Sequence, residues 1–353
     1  MMAYSINAKD YFNTKLYTGS GSAQSLTGVG FQPDLIWIKN RSYADHHKAV
    51  DRVRWVSSSN SAQLSPNQTA VAGTQGIITS FDADGYTLST GDRGWNSSNG
   101  DNFVSWNWKA NGAGSSNTDG SITSTVSAST TSGFSIMTWT GTGSNGTIGH
   151  GLGKAPKMLI IKNTNNTQAW MAYHASTGNN TEIQFNATGA TAGSSTAWQD
   201  TDPDTSKFYV GGSAGDSVNA NGYTYVGYAF ADIQGYSKFG SYKGNGNNDG
   251  SFTYLGFAPS FIITRRTDSS NSWYMYSRKT STTGGNLTDK YLEVNANGAE
   301  ATTTGEYGFD FLSNGFKARG TGGGTNANNG NYIYMAFAEA PLVGSNNVPA
   351  TAR

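Results

Sequence analysis

The sequence predicts an all-β chain organised as three tandem antiparallel β-sandwich modules. Three observations carry this: a unit that recurs three times, period-two apolar alternation within it, and Gly- and Asn-rich punctuation about every ten residues with no convincing amphipathic helix. The length, 353 residues, exceeds one ordinary core and points to several domains. Only 13% of residues are charged, yet 12% are aromatic, so the low charge does not signal disorder.

The recurring unit is YTGSGSAQSLTGVGFQPDLIWIK (17–39), WTGTGSNGTIGHGLGKAPKMLIIK (139–162) and YKGNGNNDGSFTYLGFAPSFIITR (242–265). Its plan is aromatic, x, G-x-G, loop, Gly, x, x, Pro, apolar run, base. Tyr17, Trp139 and Tyr242 are equivalent, as are Gly30, Gly153 and Gly256, then Pro33, Pro156 and Pro259, and finally Lys39, Lys162 and Arg265. The base lies six positions after the proline in every copy. A second anchor keeps register: FVSWNWKA, YVGYAFAD and YIYMAFAE begin 70, 69 and 73 residues after those prolines.

Both anchors read as strands. Alternation places Val104, Trp106 and Trp108 on one face, matched by Val226, Tyr228 and Phe230 and by Ile333, Met335 and Phe337, and this is the predicted core face. The runs DLIWI, KMLII and SFIIT are apolar on both faces, as in central strands. FDADGYTL and FLSNGFKA share an aromatic-turn-Gly-aromatic spacing, while the second copy, with DPDTSKFYV, departs there and implies a remodelled loop. Residues 1–110, 134–234 and 235–340 are then the modules. Residues 111–133, without an aromatic, read as a Ser/Thr/Gly-rich linker, and 341–353 as an extended arm. The second and third modules, almost contiguous, are expected to sit against each other.

Composition excludes several functions. Equal numbers of basic and acidic residues, 23 each, give no net field to attract nucleic acid. No cysteine is present, so there is neither a disulfide framework nor a thiolate metal site. The start, MMAYSINAKDYF, lacks a secretion signal and no run has membrane-spanning length, so a cytosolic start without membrane insertion is expected. The N-x-S/T sequons at Asn67, Asn186 and Asn286 are expected by chance in so Asn-, Ser- and Thr-rich a chain.

The motifs that suggest chemistry fail on context. Gly141, Gly143 and Gly146 spell G-x-G-x-x-G, but a strand rather than a helix follows, so they are read as hairpin-turn glycines. GGSAG at 211–215 imitates a nucleophile elbow at Ser213, again without a following helix. His46, His47, His150 and His174 match no zinc pattern. His47 stands fourteen residues after its proline, where the other copies have Trp170 and Trp273, which reads as packing.

Three groups of residues are candidate sites. Asp82 and Asp84, and Asp202 and Asp204, are turn carboxylates that either shape their loops or hold calcium. Trp95 and Trp198 lie in polar loops, where a ring either stacks on a sugar or plugs the end of a sandwich or a subunit contact. Lys39, Arg41, Lys48, Arg52 and Arg54 gather in one basic stretch, either a docking surface or a solvated face. No spacing singles out a carboxylate pair for glycoside hydrolysis.

The GFQPDLIWIKNR and SFDADGYTL segments, the AFAEAP ending and the closing VPATAR resemble the repeated modules of tailed-bacteriophage virion proteins, especially those of marine and cyanobacterial phages. Those modules are similar to the concanavalin A-like jelly-roll superfamily, and the likeness spans nearly the whole chain. It implies a non-enzymatic virion surface component, a tail fibre, tail-associated adhesin or head decoration protein, assembled in the host cytoplasm. Its implied partners are other virion proteins, copies of itself with a trimer favoured, and host surface glycans. No catalytic residue is transferred. The alternative is a free lectin-like protein or glycan hydrolase.

Overall fold

The computed structural model describes residues 6–341 apart from 98, 194–195, 213–216, 285 and 304. Ser213 and the arm beyond residue 341 therefore lie outside the described residues. Within them the chain is all-β, with a short 3-10 turn at Ala8–Asp10 and no α-helix. All registered strand pairs are antiparallel and fall into several sheets.

One strand order recurs. In the first copy Phe12–Thr18 pairs with Asn102–Trp108, which pairs with Leu35–Asn40 and then Lys48–Asp51. Phe134–Thr140, Thr224–Phe230, Met158–Asn163 and Met171–His174 repeat that order, as do Ser237–Lys243, Asn331–Pro341, Phe257–Arg266 and Trp273–Ser277. Smaller outer sheets face these inner ones: Gln24–Thr27 with Gly85–Leu88 and Ile78–Asp82, Gly146–Gly149 with Lys207–Val210, and a four-stranded sheet beginning at Phe252–Tyr254. The second outer sheet has only two strands, where the sequence departs from the FDADGYTL pattern.

The predicted core face is buried, but its place differs from the expectation. Phe103 and Tyr17, on the opposite face, fill the interior of the first copy with Ile36 and Ile38. Trp106 and Trp108 instead turn toward the other copies. Phe12 stacks on Phe337 at 4.9 Å, Trp108 meets Phe134 at 6.5 Å, and Phe230 meets Phe337 at 6.1 Å. One cluster therefore joins all three copies, and an apolar cavity of about 30 Å³ remains where Trp37, Trp108, Trp170, Tyr228 and Met335 converge. Strands buried on both faces explain the doubly apolar runs: Leu35–Asn40 and Met158–Asn163 are buried at every position.

The expected linker is a second correction. Ser115–Asn117 and Ser124–Ser129 are strands that extend the second inner sheet to eight. Alternating Thr, Val and Ser suits a half-buried strand, and Ile122 and Val126 supply enough apolar surface to join the second core.

Candidate functional site

The contacts between copies form a closed cycle built from equivalent residues. Position fourteen after each proline supplies a ring N–H. Trp170 Nε1 donates to the carbonyls of Gln68 and Ser65 at 3.0 and 3.2 Å, and Trp273 Nε1 donates to Gln184 O at 3.1 Å. In the first copy His47 takes this role. Trp37 Nε1 donates to its Nδ1 at 2.9 Å, so the proton sits on Nε2, which faces Glu293 O at 3.0 Å. Second to first, third to second and first to third, each ring reaches the preceding copy in the cycle.

Asparagine fixes each ring. The side-chain oxygens of Asn67, Asn186 and Asn295 accept the backbone N–H of His47, Trp170 and Trp273 at 3.1, 2.8 and 2.7 Å. Two of these asparagines, Asn67 and Asn186, belong to the sequons expected by chance, and they have a structural role that no local sequence pattern marks. The terminal bases follow the same cycle. Lys162 Nζ donates to Thr69 O at 3.0 Å and Arg265 donates to Gly189 O, each across a junction, whereas Lys39 turns to Asn40 O.

Burial sets the electrostatics. It holds His47 down to about 3, with the nearby Lys39 charge adding to the effect, and His174 to about 4. Lys39 and Lys162 are lowered to about 8, again chiefly by burial. His174 accepts Ser176 N–H on Nδ1 and so donates Nε2–H to Tyr334 O in the third copy, at 3.1 Å. Of these titratable groups, His47, His174 and Lys162 serve the junctions.

The basic stretch docks within the chain itself. Arg41 forms a two-pronged pair with Glu300 of the third copy, at 3.0 and 2.6 Å. Arg54 pairs with Asp51 at 2.6 Å, and Tyr228 of the second copy donates to that same carboxylate at 2.8 Å. Arg52 pairs with Asp34, Lys39 is buried, and Lys48 is half-buried on its strand. Neither a solvated face nor an outward docking patch describes the set.

The other candidates are also placed. Trp95 and Trp198 are 6% and 1% exposed, with Trp198 Nε1 donating to Thr181 O, so both rings plug cores and offer no open face to a sugar. Asp84 accepts the N–H groups of Gly28 and Gly30, and Asp82 accepts from Thr87 Oγ1. Asp204 accepts from Ser206 and Lys207 N–H, and Asp202 accepts from the Tyr173 hydroxyl. Among the described residues no three carboxylate or imidazole groups converge, and all four carboxylates accept hydrogen bonds from the protein itself. Of the glycines in the G-x-G-x-x-G motif, Gly143 alone has a left-handed φ, at 70°, while a Cβ at Gly141 would meet Ala220 O at 2.1 Å.

Two polar grooves face outward at related positions. One, about 550 Å³, is lined by Ser241, Lys243, Asn331 and Ile333 of the third copy and by Thr181 and Thr191 of the second. The register equates Ser241, Lys243 and Asn331 with Thr138, Thr140 and Thr224, which line the other groove of about 260 Å³. Phe252 and Tyr254 add exposed rings on the edge strand of the third outer sheet. The sequence offered no signal for the larger groove, because its walls come from two copies.

No curated protein matches the chain. One family does, over residues 7–341, the whole cycle of three copies: the chain belongs to the family described as Domain of unknown function (DUF7483).

Proposed function

We propose that the chain is a non-enzymatic, surface-exposed structural and adhesive protein of a bacteriophage virion, carried on the tail or the head and built of three jelly-roll modules of the concanavalin A-like type. One observation supports this most: His47, Trp170 and Trp273 at equivalent positions, with the bases Lys162 and Arg265, are committed to contacts between copies, while the surface grooves are lined largely by hydroxyl and amide groups. Burial holds the imidazoles of His47 and His174 neutral while their N–H groups serve the junctions, so chemistry at the surface falls to hydrogen bonding. Such grooves suit host surface glycans, and the outer sheets suit neighbouring virion proteins. In this reading the threefold arrangement that a homotrimer makes between chains is met within one chain.

The test is a glycan array probed with the intact protein, paired with a reducing-sugar release assay on the glycans it retains. Binding without release is expected. Release that disappears on replacing a single carboxylate overturns the non-enzymatic reading and favours a glycan hydrolase.

A further inference from the structure

We propose that the groove between the second and third copies binds an oligosaccharide bearing a carboxylate, held by fixed threonine hydroxyls and drawn by the charges of Lys243 and Arg265. The inference rests on the adhesive reading and names the ligand class of that groove. Its size, about 550 Å³, lies within the range of about 300–1,000 Å³ usual for ligand sites.

The hydroxyls are preset. Thr191 Oγ1 donates to Thr267 O at 2.7 Å, Thr267 Oγ1 to Asn331 O at 3.2 Å, and Thr181 Oγ1 to Thr177 O at 3.1 Å. Each proton is thereby used, so each oxygen presents lone pairs, which suit the hydroxyl protons of a sugar. Fixing them beforehand lowers the ordering cost of binding.

The charge is asymmetric. Arg265 is 1% exposed, and among the described residues its Nε and Nη1 have no hydrogen-bond partner. It is paired across the sheet with Ile333, which lines the groove. The guanidinium donates to Gly189 O, two residues before the lining Thr191, and lies over the Trp273 ring at 5.6 Å, so it is buried beside the groove. Burial lowers it to about 10, with Tyr274 the one group opposing that effect. In a low-dielectric wall such a charge acts on the nearest solvent space. Lys243, at the mouth, is exposed and forms no ion pair among the described residues. The adjacent Asp268 is neutralised by Arg266 at 2.6 Å, and Glu182 alternates to the strand face opposite Thr181.

The second copy carries its own control. Thr140 replaces Lys243, and Lys162, which replaces Arg265, donates to both Thr69 O and Asn166 O. That groove has hydroxyls without an exposed cation among its lining residues, so it should show a weaker preference for acids.

The test uses the full chain in calorimetric titrations with tetragalacturonate and sialyllactose, against methyl-esterified tetragalacturonate and lactose. At least one acidic sugar should bind, about tenfold tighter than its neutral counterpart, with the advantage shrinking at high salt. Lys243→Gln should weaken that binding about fivefold. Ser241→Trp, at an exposed groove position, should abolish it, and Thr138→Trp in the other groove should leave it unchanged. Equal affinity for acid and neutral sugars, indifference to Ser241→Trp, or no acidic sugar bound overturns the assignment. In those cases an array that still shows neutral glycans bound leaves the adhesive reading standing, whereas an array without any bound glycan removes it as well.

Discussion

His47 donates its Nε2 proton to the carbonyl of Glu293, 246 positions further along the chain, and this contact closes the cycle of copies. The folded ring is held neutral, titrating at about 3, whereas an unfolded histidine takes a proton near its ordinary 6.5. The depressed folded value means that stability is complete above about 6.5 and falls as pH drops toward about 3. Between pH 7 and 5 the loss from His47 is about 2 kcal/mol. His47→Gln keeps a side-chain N–H donor but cannot titrate, so urea unfolding should give it the shallower pH profile. Identical slopes for the two proteins would show that the histidine is not held neutral.

Trp108 packs against Phe12 of its own copy, Phe134 of the second and Phe261 and Phe337 of the third. Trp108→Ala should cost roughly 3–5 kcal/mol, as for other large aromatic truncations. Because the ring joins copies, the loss should lower one shared calorimetric transition. A scan that splits into an early transition for residues 1–110 and an unshifted remainder contradicts the shared core.

How far the fold was legible depends on the range of each contact. Strand alternation, the proline-to-base spacing and the doubly apolar runs are local, and they located the inner strands. What the face of Trp106 and Trp108 packs against is not local, and period two cannot tell a sandwich interior from a junction. The basic stretch was misread for the same reason, since the partner of Arg41 lies 259 positions away and that of Arg54 in the second copy 174 away. Asn67, Asn186 and Asn295 follow their rings by 20, 16 and 22 residues, so unequal loops hid a conserved geometry. The larger groove needed two copies in register and could not be seen in one.

Arg41 and Glu300 test the last junction separately from the histidine. Their side chains are 17% and 8% exposed, and two N–H groups meet two carboxylate oxygens, a geometry stronger than an ordinary surface pair. A double-mutant cycle with Arg41→Ala and Glu300→Ala should give a coupling of about 1–2 kcal/mol. The coupling should shrink only slightly in high salt, because the pair is largely shielded from solvent. Additive single mutants would mean that the junction closes without it.

Residues 111–133 distinguish the linker expected from sequence from the two strands found. In a linker, Val126→Asp would be close to neutral, within about 0.5 kcal/mol. Here Val126 pairs with Met137 across the sheet and packs into the second core, and a carboxylate at that position would lose its water without gaining a partner. The segment is also tied at its ends: Asn111 N–H donates to Ser127 Oγ, and Ser132 Oγ–H donates to Lys109 O. Val126→Asp should therefore lower the urea midpoint by the equivalent of about 2 kcal/mol or more. Limited proteolysis of the parent protein should leave 111–133 uncut under conditions that open the variant there. Rapid cleavage of the parent within that stretch, with both halves still folded, would restore the linker.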